Sequence, residues 1–153
     1  MIKQQINLIE AKALIRKKFK DGISGTSGMF INLGEYGVKL YDTQWTAMAA
    51  FERQRKAFAN NIGPEPYYRI DIQIDNVKYY GYLTEVVEVL PPDTMARTEL
   101  GSECWDDYRR EYANDIRRVK YQLKKIGLYI IAYDMHPGNL GFKDGKVLCV
   151  DFS

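Results

Sequence analysis

The chain has 153 residues, with 22 basic and 20 acidic side chains and a formal charge of +2. So even a balance leaves no overall electrostatic footprint for nucleic acid, and 46% hydrophobic with 13% aromatic content belongs to a chain with a folded core rather than a disordered one. The length fits one domain or two small lobes, and no run of about eighteen apolar residues offers a membrane span.

Residues 3–19 read as an amphipathic helix, with Ile6, Ile9, Ala13 and Leu14 in loose helical period. Six basic residues and one Glu lie between Lys3 and Lys20. Two readings stay open for it: a surface helix packed on one side, or a helix that meets an anionic partner or membrane surface. No apolar segment of signal-peptide type precedes it. Asp21 to Gly28 is a loop by composition. Strands are expected over Met29 to Leu33 and Tyr36 to Tyr41, joined at Gly34-Glu35, with Lys39 between Val38 and Leu40. Asp42 or Thr43 can cap a helix over Gln44 to Ala59. Its apolar face is expected at Ala47, Met48, Phe51 and Phe58, with Glu52 at the edge of that face. Asn60 to Pro64 ends it.

Tyr68, Ile70, Ile72 and Ile74 alternate with polar residues, the pattern of a half-buried strand. Asp75-Asn76 is a turn, and Val77 to Val89 reads as the returning strand. Pro91-Pro92 stops it and marks a lobe boundary. Ser102 can cap a long helix to Ile126, striped by Tyr108, Tyr112, Ile116, Val119, Leu123 and Ile126, with Gly127 at C′. The apolar run 129–132, a loop over 134–141, a turn at Lys143 to Lys146 and a strand over Val147 to Val150 complete the chain. Cys104 and Cys149 are far apart and lack metal-ligand spacing. Cys149 sits in an apolar run as a small buried hydrophobe, and a reducing, cytoplasmic setting is expected.

The chemistry is concentrated near the end. Tyr133-Asp134-Met135-His136-Pro137-Gly138-Asn139 places an Asn five residues after an Asp. Val147-Leu148-Cys149-Val150-Asp151-Phe152-Ser153 then puts a second Asp behind an apolar strand. Phosphoryl transfer from a nucleotide needs charge neutralisation and a group that takes or orients the proton of the attacking hydroxyl. Mg²⁺ takes oxygen ligands and often only one or two protein carboxylates. A loop Asp, an Asn carbonyl and a strand-end Asp meet that need if a short hairpin over 134–151 brings them together.

Over roughly residues 24–153 the sequence resembles the protein-kinase-like superfamily. Its loop looks most like the Asp-x-His-x-x-Asn loop of aminoglycoside and choline phosphotransferases. The resemblance implies an α+β fold: an antiparallel-sheet N-lobe over 1–90, including the leading helix, and a truncated, mainly helical C-lobe over 91–153, together one kinase-like domain. It implies that Asp134 is the catalytic base, with Asn139 a metal ligand and Asp151 the principal metal carboxylate. Lys39 would contact the nucleotide phosphates and Glu52 would pair with Lys39. Gly25, Thr26, Ser27 and Gly28 would cradle phosphate through backbone N–H groups, though a plain turn fits them equally. Glu88 to Leu90 would be the hinge whose backbone meets adenine. His136 would hold the loop by hydrogen bonds, with Pro137-Gly138 as its turn.

Ser153 stands where the family has Gly, and the helices that follow in the family are not in this chain. The expectation is therefore a minimal kinase-like protein, a cut chain, or one whose short C-lobe a protein partner completes. The implied function is ATP- and Mg²⁺-dependent transfer of a phosphoryl group to a hydroxyl of a protein or small molecule. The alternative is a non-catalytic kinase-like module that binds or regulates. Nucleotide is the expected ligand, with no membrane partner. A third reading, an anion- or nucleic-acid-binding helix using Arg109, Arg110, Arg117, Arg118, Lys120, Lys124 and Lys125, is weaker than their role as a solvated helix face.

Overall fold

The computed structural model describes residues 2–24, 28–89 and 102–153, and the chain is α+β. It divides into two compact units. One comprises Met1–Glu52 and Glu65–Val86 with Ser153, the other Arg53–Pro64 and Val87–Phe152.

The first unit opens with α1 (Ile2–Gln5) and α2 (Leu8–Lys18). The single helix expected over 3–19 is thus two. Asn7 is the cause: its backbone is extended, and its Oδ1 accepts from the N–H groups of Ile9 at 3.0 Å and Glu10 at 3.1 Å. An Asn side chain that serves as an N-cap begins a helix rather than continuing one. Ala11 and Ile15 are the buried residues of α2.

A five-stranded antiparallel sheet follows in the order β1-β2-β3-β5-β4, from β1 (Ile23–Ser24), β2 (Met29–Asn32), β3 (Gly37–Tyr41), β4 (Pro66–Ile74) and β5 (Val77–Thr84). The turns behave as their residues dictate. Gly34 takes φ +104, and Asp75 and Asn76 take φ +50 and +67, the left-handed pair of a tight hairpin. Ile70, Ile72 and Ile74 are buried with Val38, Leu40 and Leu83 in the core that also holds Ala11 and Ile15. A smaller cluster joins Tyr41 and Tyr82 to Ala47 and Ala50 of α3 (Gln44–Ala59). Because side chains alternate along a strand, Lys39 shares the face of Tyr41, opposite Val38 and Leu40.

Thr43 caps α3: its Oγ1 accepts from the N–H of Thr46 at 3.2 Å. The expected apolar face needs correction. The buried positions are Ala47, Ala50, Gln54 and Ala57, whereas Met48 and Phe58 are exposed. Small residues line the packed side because they let the helix lie close. Gln54 is buried there with its Nε2 donating to the Pro64 carbonyl at 3.1 Å. The strand expected over 77–89 is also divided. β5 ends at Thr84, and β6 (Glu88–Val89) joins a different sheet. At the end of β5 the Glu85 N–H donates to the Glu65 carbonyl and the Glu65 N–H to Glu85 Oε1.

In the second unit the expected helix 102–126 is α4 (Ser102–Glu111) and α5 (Ala113–Lys125). The break is local at Tyr112, for the Tyr112 N–H still reaches the Tyr108 carbonyl and the Ile116 N–H the Tyr112 carbonyl, both at 2.9 Å. The Tyr112 ring packs on Phe142 with centroids 5.4 Å apart. Gly127 ends the path at φ +86; its N–H meets the Lys124 carbonyl and the Leu128 N–H the Leu123 carbonyl. This is the Schellman closure that a C′ glycine serves. The run 129–132 lies in α6 (Tyr129–Tyr133), and β7 (Leu140–Lys143) with β8 (Lys146–Cys149) forms a hairpin on β6. Ala57, Ile62, Val119, Leu123, Ile131, Met135, Leu140, Cys149 and Phe152 share the core. Among the described residues no helix is long and apolar enough to cross a membrane.

Candidate functional site

The loop after α6 is held almost entirely by its own chain. Asp134 ends the helix, its N–H on the Ile131 carbonyl at 3.2 Å and its side chain exposed. His136 is extended, and its Nδ1 accepts from the Gly138 N–H at 3.1 Å, so the neutral ring carries its proton on Nε2. That bond caps the single 3-10 turn Pro137–Asn139, the structural use of this histidine expected from the motif.

Asn139 is the knot. It is buried, and its Nδ2 donates to the Asp134 carbonyl at 2.9 Å. Its N–H reaches the His136 carbonyl, and its own carbonyl accepts from the Val150 N–H, each at 2.9 Å. The hairpin register, Leu140 opposite Cys149, extends through that last bond, so Asp151 follows directly after the residue paired with Asn139. Three backbones therefore meet at one end of the hairpin: Asp134, Asn139 and the chain entering Asp151. Beyond it the Cys149 thiol donates to the Asp151 carbonyl at 3.4 Å and Arg53 Nη1 to the Phe152 carbonyl at 3.2 Å. Phe152 is fully buried and anchors this end in the core.

The donor set suits a hard cation. With Nδ2 committed to a carbonyl, Asn139 keeps Oδ1 as its acceptor. Asp151 contributes a half-buried carboxylate, and Asp134 a second carboxylate. Oxygen donors of this kind match Mg²⁺, which retains several waters. Among the described residues no group of three or more His, Cys, Asp and Glu side chains is gathered for a metal.

In the first unit Lys39 is half-buried on the central strand, opposite Phe30 on one side and Tyr82 on the other. Its ammonium lies 5.8 Å from the Tyr82 ring centroid. Phe51 meets the same ring edge-on at 5.3 Å. Tyr82 thus links the lysine's strand to the stretch of α3 that carries Glu52, which is exposed. Sequence reasoning passed over Tyr82. The pairing that brings it beside Lys39 is visible only in the sheet register. Gly81 matters for the same reason, since a Cβ there would stand 1.9 Å from the Lys39 carbonyl.

The remaining expected contacts are local. Gly28 lies against Tyr41, where a Cβ would come within 2.6 Å of the ring. This close approach of chains needs a glycine whether or not phosphate binds. Gly25, Thr26 and Ser27 lie outside the described residues, as do Leu90 and Pro91-Pro92. Glu88 pairs with Phe142 on an edge strand.

No family model matches the chain, and no curated protein matches it.

Proposed function

We propose that the chain is a kinase-like phosphotransferase that moves the γ-phosphoryl group of ATP to a hydroxyl. The observation that carries this reading is the knot at Asn139, whose hydrogen bonds draw Asp134 and the approach to Asp151 to one end of the hairpin. Asn139 Oδ1 and the Asp151 carboxylate would hold Mg²⁺, which supplies charge neutralisation on the phosphates. Asp134, exposed and fixed by its own backbone carbonyl, takes the proton of the acceptor hydroxyl. By the family resemblance, Lys39 would contact the phosphates and Glu52 would orient it. Catalysis of this type is mostly positioning and electrostatics, so a loop held by its own backbone suits the task.

A non-catalytic kinase-like binding module is the second reading, supported by the large exposed side chains of α6. Transfer from γ-labelled ATP to added acceptor proteins or to the chain itself separates the two. The phosphotransferase reading expects label transfer that requires Mg²⁺ and falls at least about a hundredfold in Asp134→Asn, the usual scale for removing a general base. Transfer unaffected by that substitution removes Asp134 from the chemistry.

A further inference from the structure

From Arg117 to Tyr133 the chain has five basic residues and no acidic one; Asp115, which pairs with Arg118 at 3.4 Å, and the exposed Asp134 flank this stretch and leave it net basic. This charge surrounds exposed aromatic surface. Tyr121 is 67% exposed on α5. Arg117 and Arg118 lie one turn before it and Lys124 and Lys125 one turn after, the positions that neighbour a residue on a helix. α6 has two sides: Ile131 and Ala132 are buried, while Tyr129, Ile130 and Tyr133 are 56%, 71% and 77% exposed. The Lys124 ammonium stands 5.4 Å from the Tyr133 ring centroid and joins the two helices' outer faces. Single exposed apolar residues are ordinary, but a group of them among net basic charge marks an interaction surface.

We propose that this surface docks an acidic protein segment that carries apolar side chains, and that the segment presents the acceptor hydroxyl. The charge selects an acidic partner and repels a cationic one. Exposed tyrosines are the side chains that anchor protein interfaces. Ile130, 71% exposed, favours a protein segment over nucleic acid, because an aliphatic side chain offers bases nothing to stack on. Tyr133 leads directly into Asp134, so a segment held here lies beside the loop. That the docked segment is the acceptor rests on the phosphotransferase reading; the docking itself does not. In the transfer step the segment's hydroxyl oxygen forms a bond to the γ-phosphorus as the bond to the ADP oxygen breaks, and the hydroxyl proton passes to the Asp134 carboxylate.

The test is fluorescence anisotropy with a labelled synthetic peptide of one Ser among Glu and Leu residues, against the same peptide with Lys in place of Glu. Single-stranded RNA and anionic phospholipid vesicles are run in parallel. The expected result is acidic-peptide binding at least about tenfold tighter than that of the lysine peptide. Ile130→Asp and Lys124→Glu should each weaken it at least about tenfold, with the melting temperature and any ATP–Mg²⁺ stabilisation unchanged. Both positions are exposed, and the charge reversal tests the surface even if the core beneath Ile130 responds. Equal binding of the two peptides overturns the proposal. So does binding that survives both substitutions, tighter binding of RNA or vesicles, or a concentration-dependent dimer that Ile130→Asp abolishes. Acidic-peptide binding without any ATP–Mg²⁺ stabilisation supports the docking surface and overturns the phosphotransferase reading instead.

Discussion

Asn139 joins three points of the chain with one side-chain and two backbone bonds, which makes it the residue whose loss should be felt most at the loop. Asn139→Ala leaves the Asp134 carbonyl without its donor in a partly buried site. A cost of about 1–3 kcal/mol is expected, read as a lower midpoint in urea. Asn139→Asp should cost as much, because a carboxylate oxygen would face the carbonyl. The same scale of argument applies to Gly81, where a Cβ would collide with the Lys39 carbonyl backbone at 1.9 Å. Gly81→Ala should destabilise by about 1–3 kcal/mol, and an unchanged urea midpoint would show that β3 and β5 can part without cost. Much of this was legible. The turn residues Lys143 to Lys146 and the strand over Val147 to Val150 implied the hairpin that ends the chain, and the Gly127 turn followed from the helical stripe before it. Tyr82 was not legible as a site residue, because a strand tyrosine carries no sign of which strand will lie beside it.

At the level of elements, periodicity succeeded where the buried residues are large and failed where they are small. The stripe Ile116, Val119 and Leu123 predicted the inner face of α5. On α3 the large residues drew attention to Met48 and Phe58, yet the packed face is Ala47, Ala50, Gln54 and Ala57. Alanines add little to a hydrophobicity pattern but admit close contact. Asn7 divided the first helix through a side-chain bond that no periodicity reports. The hairpin's own stability should depend on Phe152, fully buried just beyond β8. Phe152→Ala is expected to cost about 3–5 kcal/mol, measured by chemical denaturation. A cost below about 1 kcal/mol would mean that the end of the chain is not part of the core.

Across the whole molecule, three tyrosines contribute a stability that alkaline pH removes. Burial raises the hydroxyl pKa of Tyr36 above its ordinary 10.0, with Glu10 and Glu35 adding to the effect. Burial, then Glu85 and Glu65, does the same for Tyr67, and burial, then Glu111 and Asp115, for Tyr112. Each folded-state pKa therefore exceeds that of the unfolded chain. The contribution is complete below the unfolded value of about 10 and is lost as pH rises through the folded one. Melting temperatures measured from neutral to strongly alkaline pH should fall above that point, and Tyr36→Phe with Tyr67→Phe should flatten the fall. A slope unchanged by both substitutions would assign the alkaline loss to other groups.

Asp151 and Asn139 are proposed to hold Mg²⁺ for a bound nucleotide. The most direct test of that role is the thermal midpoint of the chain with ATP, with and without Mg²⁺, in wild type and Asp151→Ala. At ligand a hundredfold above its dissociation constant, binding adds about 2.7 kcal/mol. That is several degrees for a chain of this size. That rise is expected in wild type only when Mg²⁺ is present, and is expected to be absent in Asp151→Ala. No rise in wild type under either condition, or the same rise in the variant, would contradict that role.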